Sequence, residues 1–599
     1  MSLIHIVFAG LYALLGFGLC VRLRLPCRGL EGFAWAYGLG TGIASLGVMA
    51  MLALGLWQPL GETPALAGLL LVLAIALAGG KTRLPPPAPA DFRGARVPLG
   101  VPVAMALGFA ALVFSSLWNP GPDFDTGFDA QAYHLPAVAR LARDGLGANV
   151  GLLSGELRLG FDLLFLPGFQ LSDPTSHGAA TIHFVATLAL AAAVAGEVAR
   201  RTSRAVGIGF GVLFIVTPGI ASIANHAYVD VGVGLYVFLA LAAASRALRE
   251  GDRASVLAAG LFAGFAANAK LPAGAAIAAV ALALLVGHKG TRGAKKAAGA
   301  AAVALVVTLP WFVRAYLNTG NPFFPALLGT FGSGWADAAV VAATKQDVLA
   351  QLPIPKDAFY GVRAVVHGAF SASGGFEAPA WVVALAPAAW LRPKTPSHRG
   401  LLAGAAVLLV AWVAFVPLFR FGIGLWAWGA VAAGVGAVRL ARVARPVALL
   451  TFVVLVGLLG LGVVRALSTD ERGRRALHAG QVFGAAVAFL DHPSRTLRGP
   501  LGLSSSFVAF GPPGTIALDP SRNGMLHAED FDDPARLLAA CRRIGLRSLV
   551  LDETTDEGRK AIACAHVWAK DPAFRVVFAD DDVRLGGVVT VAFPREVSK

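Results

Sequence analysis

The chain has 599 residues, of which 56% are hydrophobic and only 14% are charged, whereas a soluble protein normally carries about a quarter charged residues. Together with a mean hydropathy of +0.68, this composition excludes a soluble globular protein and indicates one that crosses the membrane many times. The formal net charge of +15 does not indicate nucleic-acid binding, because the basic residues lie in short loops and form no patch interleaved with aromatic residues.

Apolar segments close to the roughly 20 residues needed to cross a bilayer recur along the first 465 residues. The first segment has no basic stretch before it and no cleavage site, so we interpret it as a retained span rather than a signal peptide. Residues 255–287 could form one kinked helix, but basic loops on both sides favour two short, tilted spans. We predict 13–14 spans, at 3–21, 34–56, 64–80, 98–117, 178–199, 205–223, 229–246, 255–268, 272–287, 297–316, 380–391, 401–419, 421–438 and 447–465.

The short loops between these spans carry many of the basic residues, such as Arg200 and Arg201. The positive-inside rule places such loops in the cytoplasm. The amino terminus and the segments 118–177, 317–379 and 466–599 then lie outside, and with them the conspicuous acidic residues. We therefore expect the functional site at the outer face of the membrane.

The sequence changes character after Arg465. In residues 466–599, short apolar runs such as "RSLVLDE" and "GGVVTVAF" alternate with helical stretches such as "DPARLLAACRRIG", which predicts a small α/β domain. The segment "GPPGT" in this region lacks the lysine of a phosphate-binding loop. Cys541 and Cys564 could form a disulfide outside the cytoplasm or remain small buried thiols.

The first outer segment contains the stretch "GFDAQAYHLPAVARLARDG". We predict an amphipathic helix along the membrane surface here, because apolar residues share one face at helical spacing and Pro136 is tolerated in a first helical turn. Asp129 lies just before the positive end of this helix, which keeps its carboxylate ionised and favours an anionic ligand beside it. The apolar face comprises Leu135, Val138, Ala139, Ala142 and Leu146.

Isolated ionisable residues mark the outer ends of several later spans. Asp230 opens a span, and a carboxylate at that depth is costly unless it is paired or faces water, so we favour a functional role for it. Lys270 and Arg420 could instead reach the lipid headgroups as snorkelling cations. A solvated turn is the structural alternative for Asp125, and a surface position at a helix end is the alternative for His134.

The stretch "FDAQAYHLPAVARLARDG" resembles the first outer loop of the GT-C class of membrane glycosyltransferases, which includes protein O-mannosyltransferases and the aminoarabinose transferase of lipid A. In that loop an Asp, often followed by Glu, precedes a Tyr by four positions, and a surface helix follows. Asp129 and Tyr133 match this spacing, whereas Ala130 replaces the second acidic residue and Asp125 could compensate. The stretch "FDLLFLPGFQL", with Asp162, occupies the place of a second acidic motif but lacks the Lys-Pro signature of the class.

Later segments extend the resemblance over roughly residues 98–330. The stretch "HAYVDVGVGLYVF" is similar to a segment in which an Asp opens a span, and "ANAKLPAG" and "RAYLNTGNPFFP" are similar to segments of bacterial members. The resemblance implies a mostly α-helical GT-C bundle in 98–465. The transmembrane helices predicted in 1–97 precede the part that resembles the first helix of the class, which is a departure from it, and the predicted extracytoplasmic α/β domain in 466–599 follows the bundle. It also implies a bacterial inner-membrane protein with its active site facing the periplasm or exterior.

An enzyme of this class would transfer a sugar from a polyprenyl-phosphate donor, whose tail stays in lipid, to an acceptor hydroxyl at the outer face. One positioned carboxylate suffices as general base, and the leaving phosphate needs cationic stabilisation rather than a general acid. The resemblance implies inversion at the anomeric carbon, and a divalent cation could assist. We assign Asp129 and Asp230 as catalytic residues, Asp125, Tyr133, His134 and Asp162 to positioning of the acceptor or loop, and Lys270 and Arg314 to the donor phosphate.

The partners expected of such an enzyme are the lipid-linked sugar, a glycan, lipid or protein acceptor, and membrane lipids, with no nucleic acid. A polymerase or ligase of lipid-linked glycans would act on similar donors and is the alternative enzyme class. A transporter or flippase of lipid-linked sugars would need polar groups near the bilayer midplane and paired repeats, whereas the sequence has no evident internal repeat and its acids gather at the outer rim. A non-catalytic assembly protein is a third alternative.

Overall fold

The computed structural model describes most of the membrane part and several segments of the tail. The described membrane residues are 3–56, 129–130, 134–147, 156–167, 178–224, 226–288, 290–337, 339–342, 395–415 and 419–443, with isolated positions at 73, 360, 363, 382, 385–386 and 446. The described tail residues are 501–503, 516–517, 525–546, 548–552, 556–568, 570–571, 575–580 and 588–592.

The membrane part is a bundle of apolar helices. Its described helices are α1 (Leu3–Leu23), α2 (Gly29–Ala53), α3 (Leu135–Asp144), α4 (Gly178–Arg201), α5 (Arg204–Ile215), α6 (Pro218–Ala224), α7 (Asp230–Glu250), α8 (Arg253–Ala269), α9 (Ala275–Gly287), α10 (Thr291–Thr319), α11 (Leu328–Phe331), α12 (Pro396–Phe415) and α13 (Ile423–Val443). Seven of them, namely α1, α2, α4, α7, α10, α12 and α13, are long and apolar enough to cross a membrane. The chain is therefore a multi-pass membrane protein of the predicted, mostly α-helical class.

The segment predicted as two short spans around "ANAKLPAG" is broken in the middle. α8 ends at Ala269, and Lys270 adopts an extended backbone before the 3₁₀ turn Leu271–Gly274 leads into α9. Pro272 has no N–H with which to continue a helix. The two-helix prediction for 255–287 is therefore confirmed over the single kinked helix.

The span predicted at 205–223 is wrong as a single helix. α5 ends at Ile215 and α6 begins at Pro218, because the chain turns where proline cannot donate the next helical hydrogen bond. The predicted spans 64–80, 98–117, 380–391 and 447–465 lie outside the described residues apart from isolated positions, as do the predicted domain boundaries at 97 and 465.

α1 and α2 pack at close range through two glycines. A Cβ atom on Gly16 would lie 1.7 Å from the carbonyl oxygen of Ala36, and one on Gly40 would lie 1.6 Å from that of Tyr12. Small residues let helix backbones approach in this way in membranes, where van der Waals packing drives helix association. The contact also positions Tyr12, whose hydroxyl donates to the carbonyl oxygen of Leu164 at 3.2 Å.

We expect Gly16→Ala to destabilise the bundle, because the added methyl group would meet backbone atoms that cannot rotate away. Overpacking of this kind costs about 1–3 kcal/mol and occasionally more, which a thermal-unfolding scan in detergent would register as a lowered midpoint. Gly10→Ala is the matched control, since a Cβ atom at that position of the same helix meets nothing within 4 Å. Equal midpoints for the two variants would contradict the close packing of α1 and α2.

The basic connections between helices lie at one end of the bundle, and the charged residues of the candidate site lie at the other. α7 ends at Glu250 and α8 begins at Arg253, so this connection lies at the same end as the one between α9 and α10. Basic residues such as Lys296 lie towards this end. Asp230 and Lys270, at the other ends of α7 and α8, lie on the opposite side. The predicted separation of basic loops from the candidate site is present in the bundle.

The described part of the tail forms an α/β unit, as predicted. Strands β1 (Leu501–Leu503), β2 (Ile516–Ala517), β3 (Ser548–Asp552), β4 (Arg575–Asp580) and β5 (Val588–Ala592) form one sheet in the order β2-β1-β3-β5-β4. β1 is parallel to β2 and β3, whereas β5 is antiparallel to β3 and β4. Helices α14 (Pro534–Arg543) and α15 (Asp556–Trp568) pack together, and their core includes Phe531, Leu549 and Trp568.

Cys541 and Cys564 are buried free thiols in this unit, so they do not form the disulfide that the sequence allows. Burial raises the pKa of the Cys541 thiol to about 12, which keeps it protonated. Nε2 of His527 lies 3.3 Å from Oδ2 of Asp337, a residue of the segment that follows α10. This contact places the tail and that segment on the same side of the bundle.

Candidate active site

Asp129 is buried at the end of the bundle, where residues from two later segments hold it. Its Oδ2 accepts a hydrogen bond from Nη1 of Arg420, which lies in the 3₁₀ turn Phe419–Gly422 that leads into α13. Its backbone N–H donates to the hydroxyl oxygen of Tyr228 at 3.3 Å. Because the Asp129 side chain is only 9% exposed, the ion pair lies within the protein, and the alternative of Arg420 as a snorkelling cation is wrong.

Asp230 opens α7 and forms a second ion pair. Nζ of Lys270, in the break between α8 and α9, lies 2.7 Å from Oδ1 of Asp230. The other oxygen, Oδ2, is buried and accepts no hydrogen bond from the described part of the chain. Burying charged groups costs several kcal/mol each, and ionisable residues within membrane proteins are typical of functional sites. The pair therefore indicates a site for a further polar ligand.

The ring of Phe421 brings the two ion pairs together. Nζ of Lys270 lies 4.1 Å, and the guanidinium carbon of Arg420 lies 5.2 Å, from the centroid of this ring. A cation within about 6 Å of an aromatic face is attracted by the quadrupole of the ring. Arg420 also acts electrostatically on Asp230. The two cations and the two carboxylates therefore form one cluster.

An apolar cavity adjoins this cluster, between α7, α12 and α13. Asp230 and Arg420 line it together with apolar side chains. An anionic headgroup at the cations and a hydrocarbon chain along the apolar walls would match this distribution of polarity. The apolar walls include Val233, Val237, Leu408, Trp412, Phe415 and Leu425.

The helix predicted after Asp129 is present as α3, with Pro136 in its first turn. Leu135 and Val138, from the predicted apolar face, are buried against the bundle. These contacts fix the start of α3, and with it His134, the residue directly before the helix. The amphipathic pattern therefore predicted the helix, whereas its apolar residues Leu135 and Val138 pack against the bundle, a contact that was not predicted.

His134 and Asp162 form a buried pair near Asp129. Nδ1 of His134 lies 2.6 Å from Oδ1 of Asp162, and the two side chains are 3% and 1% exposed. Asp162 opens the 3₁₀ turn Asp162–Leu164, which packs against α3. The ring of His134 also contacts the ring of Tyr228, with 5.9 Å between the centroids. The alternative of a surface histidine is therefore wrong.

Arg314 belongs to a separate buried cluster. Its Nη1 lies 3.4 Å from Oε2 of Glu156, and both side chains are at most 3% exposed. The side chain of Asn318 donates to the same oxygen at 3.1 Å. These contacts tie the end of α10 to an outer segment. Arg420 is the cation that lies beside Lys270 at the ring of Phe421, and the role of Arg314 at the donor phosphate stays a prediction.

Two predicted site residues lie outside the described part of the chain, and two aromatic residues of the site were not predicted. Asp125 and Tyr133 lie outside the described residues, so their positioning roles stay predictions. Tyr228 and Phe421 were not predicted, because aromatic residues at the ends of membrane helices are common and do not by themselves indicate a site. Among the described residues, no three side chains of His, Cys, Asp or Glu are grouped as ligands of a metal ion.

Comparison with known proteins reveals similarity in structure. No family model matches the chain, and no curated protein matches it. ArnT from Cupriavidus metallidurans bound to undecaprenyl phosphate is 17% identical, with a TM-score of 0.51 and alignment over 83% of this chain and 99% of the ArnT chain. The apo structure of the same protein is 16% identical, with the same TM-score and coverage. The chain therefore has the GT-C-type membrane fold of ArnT.

Proposed function

We propose that this protein is an integral membrane glycosyltransferase that transfers a sugar from a polyprenyl-phosphate donor to an acceptor hydroxyl, with inversion at the anomeric carbon. The observation that carries the proposal is the cluster of two ion pairs, Asp129–Arg420 and Asp230–Lys270, beside an apolar cavity between membrane helices. The cluster supplies a carboxylate base and cations for a phosphate, and the cavity supplies a place for a lipid chain. The fold shared with ArnT, which was crystallised with undecaprenyl phosphate, supports this class of donor.

Lys270 and Arg420 would hold the donor phosphate. Both cations contact the ring of Phe421, so a phosphate group could accept charge-assisted hydrogen bonds from the two at once. The isoprenoid chain would lie along Val233 and Phe415 in the apolar cavity. This arrangement keeps the lipid within the membrane and its phosphate at the end of the bundle.

Binding of the donor would also release the base. In the structure Arg420 is bonded to the carboxylate of Asp129, the group that must accept a proton. The donor phosphate would compete with Asp129 for Arg420, because both are anionic oxygen acceptors for the same guanidinium. A donor that recruits Arg420 thus leaves an oxygen of Asp129 able to accept the proton of the acceptor hydroxyl.

Asp129 would then act as general base. The acceptor oxygen attacks the anomeric carbon while its proton passes to Asp129, and the bond from that carbon to the phosphate oxygen breaks. The polyprenyl phosphate leaves with the electron pair of this bond, stabilised by the two cations rather than by a general acid. Attack from the side opposite the phosphate gives inversion. Oδ2 of Asp230, which is buried and accepts no hydrogen bond from the described part of the chain, would accept one that orients the acceptor or the sugar.

We place this site at the extracytoplasmic face of a bacterial inner membrane. The basic residues near Glu250 and Arg253 lie at the opposite end of the bundle. The positive-inside rule assigns that end to the cytoplasm. A polyprenyl-phosphate donor and its acceptor would then meet on the periplasmic or exterior side, where the tail domain also lies.

The proposed phosphate site is tested by the binding of undecaprenyl phosphate to Arg420→Gln. Loss of a hydrogen bond between charged groups is worth about 1.5–3 kcal/mol, so we expect affinity to fall at least about tenfold. Binding to purified protein in nanodiscs can be followed by native mass spectrometry. Arg399→Gln, which changes an exposed arginine near the start of α12, is the control. Equal affinity of the wild type and Arg420→Gln would contradict the phosphate site.

A further inference from the structure

The pair formed by His134 and Asp162, which the sequence assigned to positioning, takes no part in the steps proposed above, yet its geometry suits the uptake of a proton. The carboxylate of Asp162 lies beside Nδ1 of His134. A carboxylate in this position holds a proton on Nδ1, leaves the lone pair on Nε2, and stabilises the imidazolium that forms when Nε2 accepts a second proton. Inside a protein an imidazolium without such a partner would be costly.

Tyr228 connects this pair with the proposed base. Its ring packs against His134, and its hydroxyl accepts the hydrogen bond of the Asp129 backbone N–H. His134 also acts electrostatically on Asp230. The imidazole, the tyrosine and the two carboxylates therefore occupy one region, and a proton could cross it through the Tyr228 hydroxyl or a bridging water.

Asp129 cannot keep the proton that it takes from the acceptor. When polyprenyl phosphate leaves, Arg420 returns to Asp129, as in the structure. A neutral Asp129 would leave this guanidinium without its counter-charge, and one member of a buried ion pair without its partner is strongly unfavourable. The proton must therefore move from Asp129 to another base before the next cycle begins.

We propose that His134, held by Asp162, receives the proton that Asp129 takes from the acceptor hydroxyl. The proposal rests on the proposed function and adds a proton acceptor to it. The O–H bond of the acceptor breaks, Asp129 carries the proton, and Nε2 of His134 then binds it while Asp162 balances the charge. Release of this proton to water restores the starting state. Among the described residues, the titratable groups around His134 include Asp162 in the 3₁₀ turn, Tyr228 and Asp230 around the start of α7, and the proposed base Asp129.

The test compares the first turnover with the steady state in a rapid-quench assay of radiolabelled polyprenyl-phosphate sugar, using an acceptor that the wild type glycosylates. In His134→Gln we expect the first turnover to keep the wild-type rate, because Asp129 is intact. The steady-state rate should fall at least about a hundredfold, the lower end of what positioned proton transfer contributes. Asp162→Asn should show the same split. His226→Gln, which changes another ring 5.4 Å from that of Tyr228, is the matched control and should keep both rates.

Chemical rescue separates this role from a structural one. Added imidazole should restore turnover to His134→Ala. The proposal would be overturned if His134→Gln kept the wild-type steady-state rate. It would also be overturned if the rate of its first turnover fell as much as its steady-state rate. If the search for that acceptor shows that the wild type transfers sugar to none, the proposed function itself is overturned, and this result is distinct from the two above.

Discussion

Asp129→Asn is expected to abolish sugar transfer while the protein still folds into the membrane. The amide oxygen of asparagine can still accept the hydrogen bond from Arg420, so we expect the variant to fold, with a lowered unfolding midpoint because the guanidinium loses its counter-charge. An amide cannot accept the proton of the acceptor hydroxyl, however. A positioned general base contributes about 10²–10⁴ in rate, and a loss of this size is the expected result.

The transfer assay for Asp129→Asn needs a control for the loss of negative charge and one for folding. Asp337→Asn removes an exposed carboxylate from an outer segment and should transfer sugar at the wild-type rate. Binding of undecaprenyl phosphate to Asp129→Asn should be retained, because Lys270 and Arg420 remain in place. Appreciable transfer by Asp129→Asn would remove Asp129 as the base.

Lys270→Met is expected to destabilise the bundle and to abolish transfer. It leaves the carboxylate of Asp230 buried without its partner, and breaking a buried ion pair in this way costs about 3–5 kcal/mol. The double variant Asp230→Asn/Lys270→Met removes both charges, so we expect it to regain much of the lost stability. We expect no recovery of transfer, because the phosphate still lacks a cation and the acceptor lacks the carboxylate.

Thermal unfolding and sugar transfer, measured on the same preparations, separate these two effects. The control is Arg246→Met, which breaks the pair with Glu250 near the basic end of the bundle, where both side chains are partly exposed. Such a pair is worth about 0–1 kcal/mol, so stability and transfer should both stay close to the wild type. Recovery of transfer together with stability in the double variant would show that the Asp230–Lys270 pair is only structural.

Part of the candidate site was predictable, because carboxylates are conspicuous in an apolar sequence. Asp230 was predicted because it opens a span, and Asp129 because it precedes the amphipathic helix and matches the Asp–Tyr spacing of the GT-C loop; both lie in buried ion pairs. Their partners were harder to predict. Arg420 lies 291 positions from Asp129, and an isolated cation at the end of a span looks the same in sequence whether it reaches the headgroups or pairs with a distant acid. For this reason Arg314, which pairs with Glu156, was assigned to the phosphate.

The fold, too, was predictable only in part: the helices were predicted, and their packing was not. The length of each apolar run and the position of basic loops predicted most of the described helices, since these features follow from the thickness of the bilayer and the asymmetry of its two faces. Helix packing was not predictable, because helices that are apolar on all sides have no face that indicates a neighbour. Gly16 and Gly40 allow α1 and α2 to pack at close range. Nothing in the sequence distinguishes these two among its 71 glycines.

The most direct test is to incubate purified protein in nanodiscs with a panel of radiolabelled polyprenyl-phosphate sugars and candidate glycan, lipid and protein acceptors. We expect the wild type to consume at least one donor, releasing polyprenyl phosphate and a glycosylated acceptor, and Asp129→Asn to consume none. Binding of donor by the wild type without consumption under any acceptor would contradict a glycosyltransferase and indicate a carrier of lipid-linked sugars.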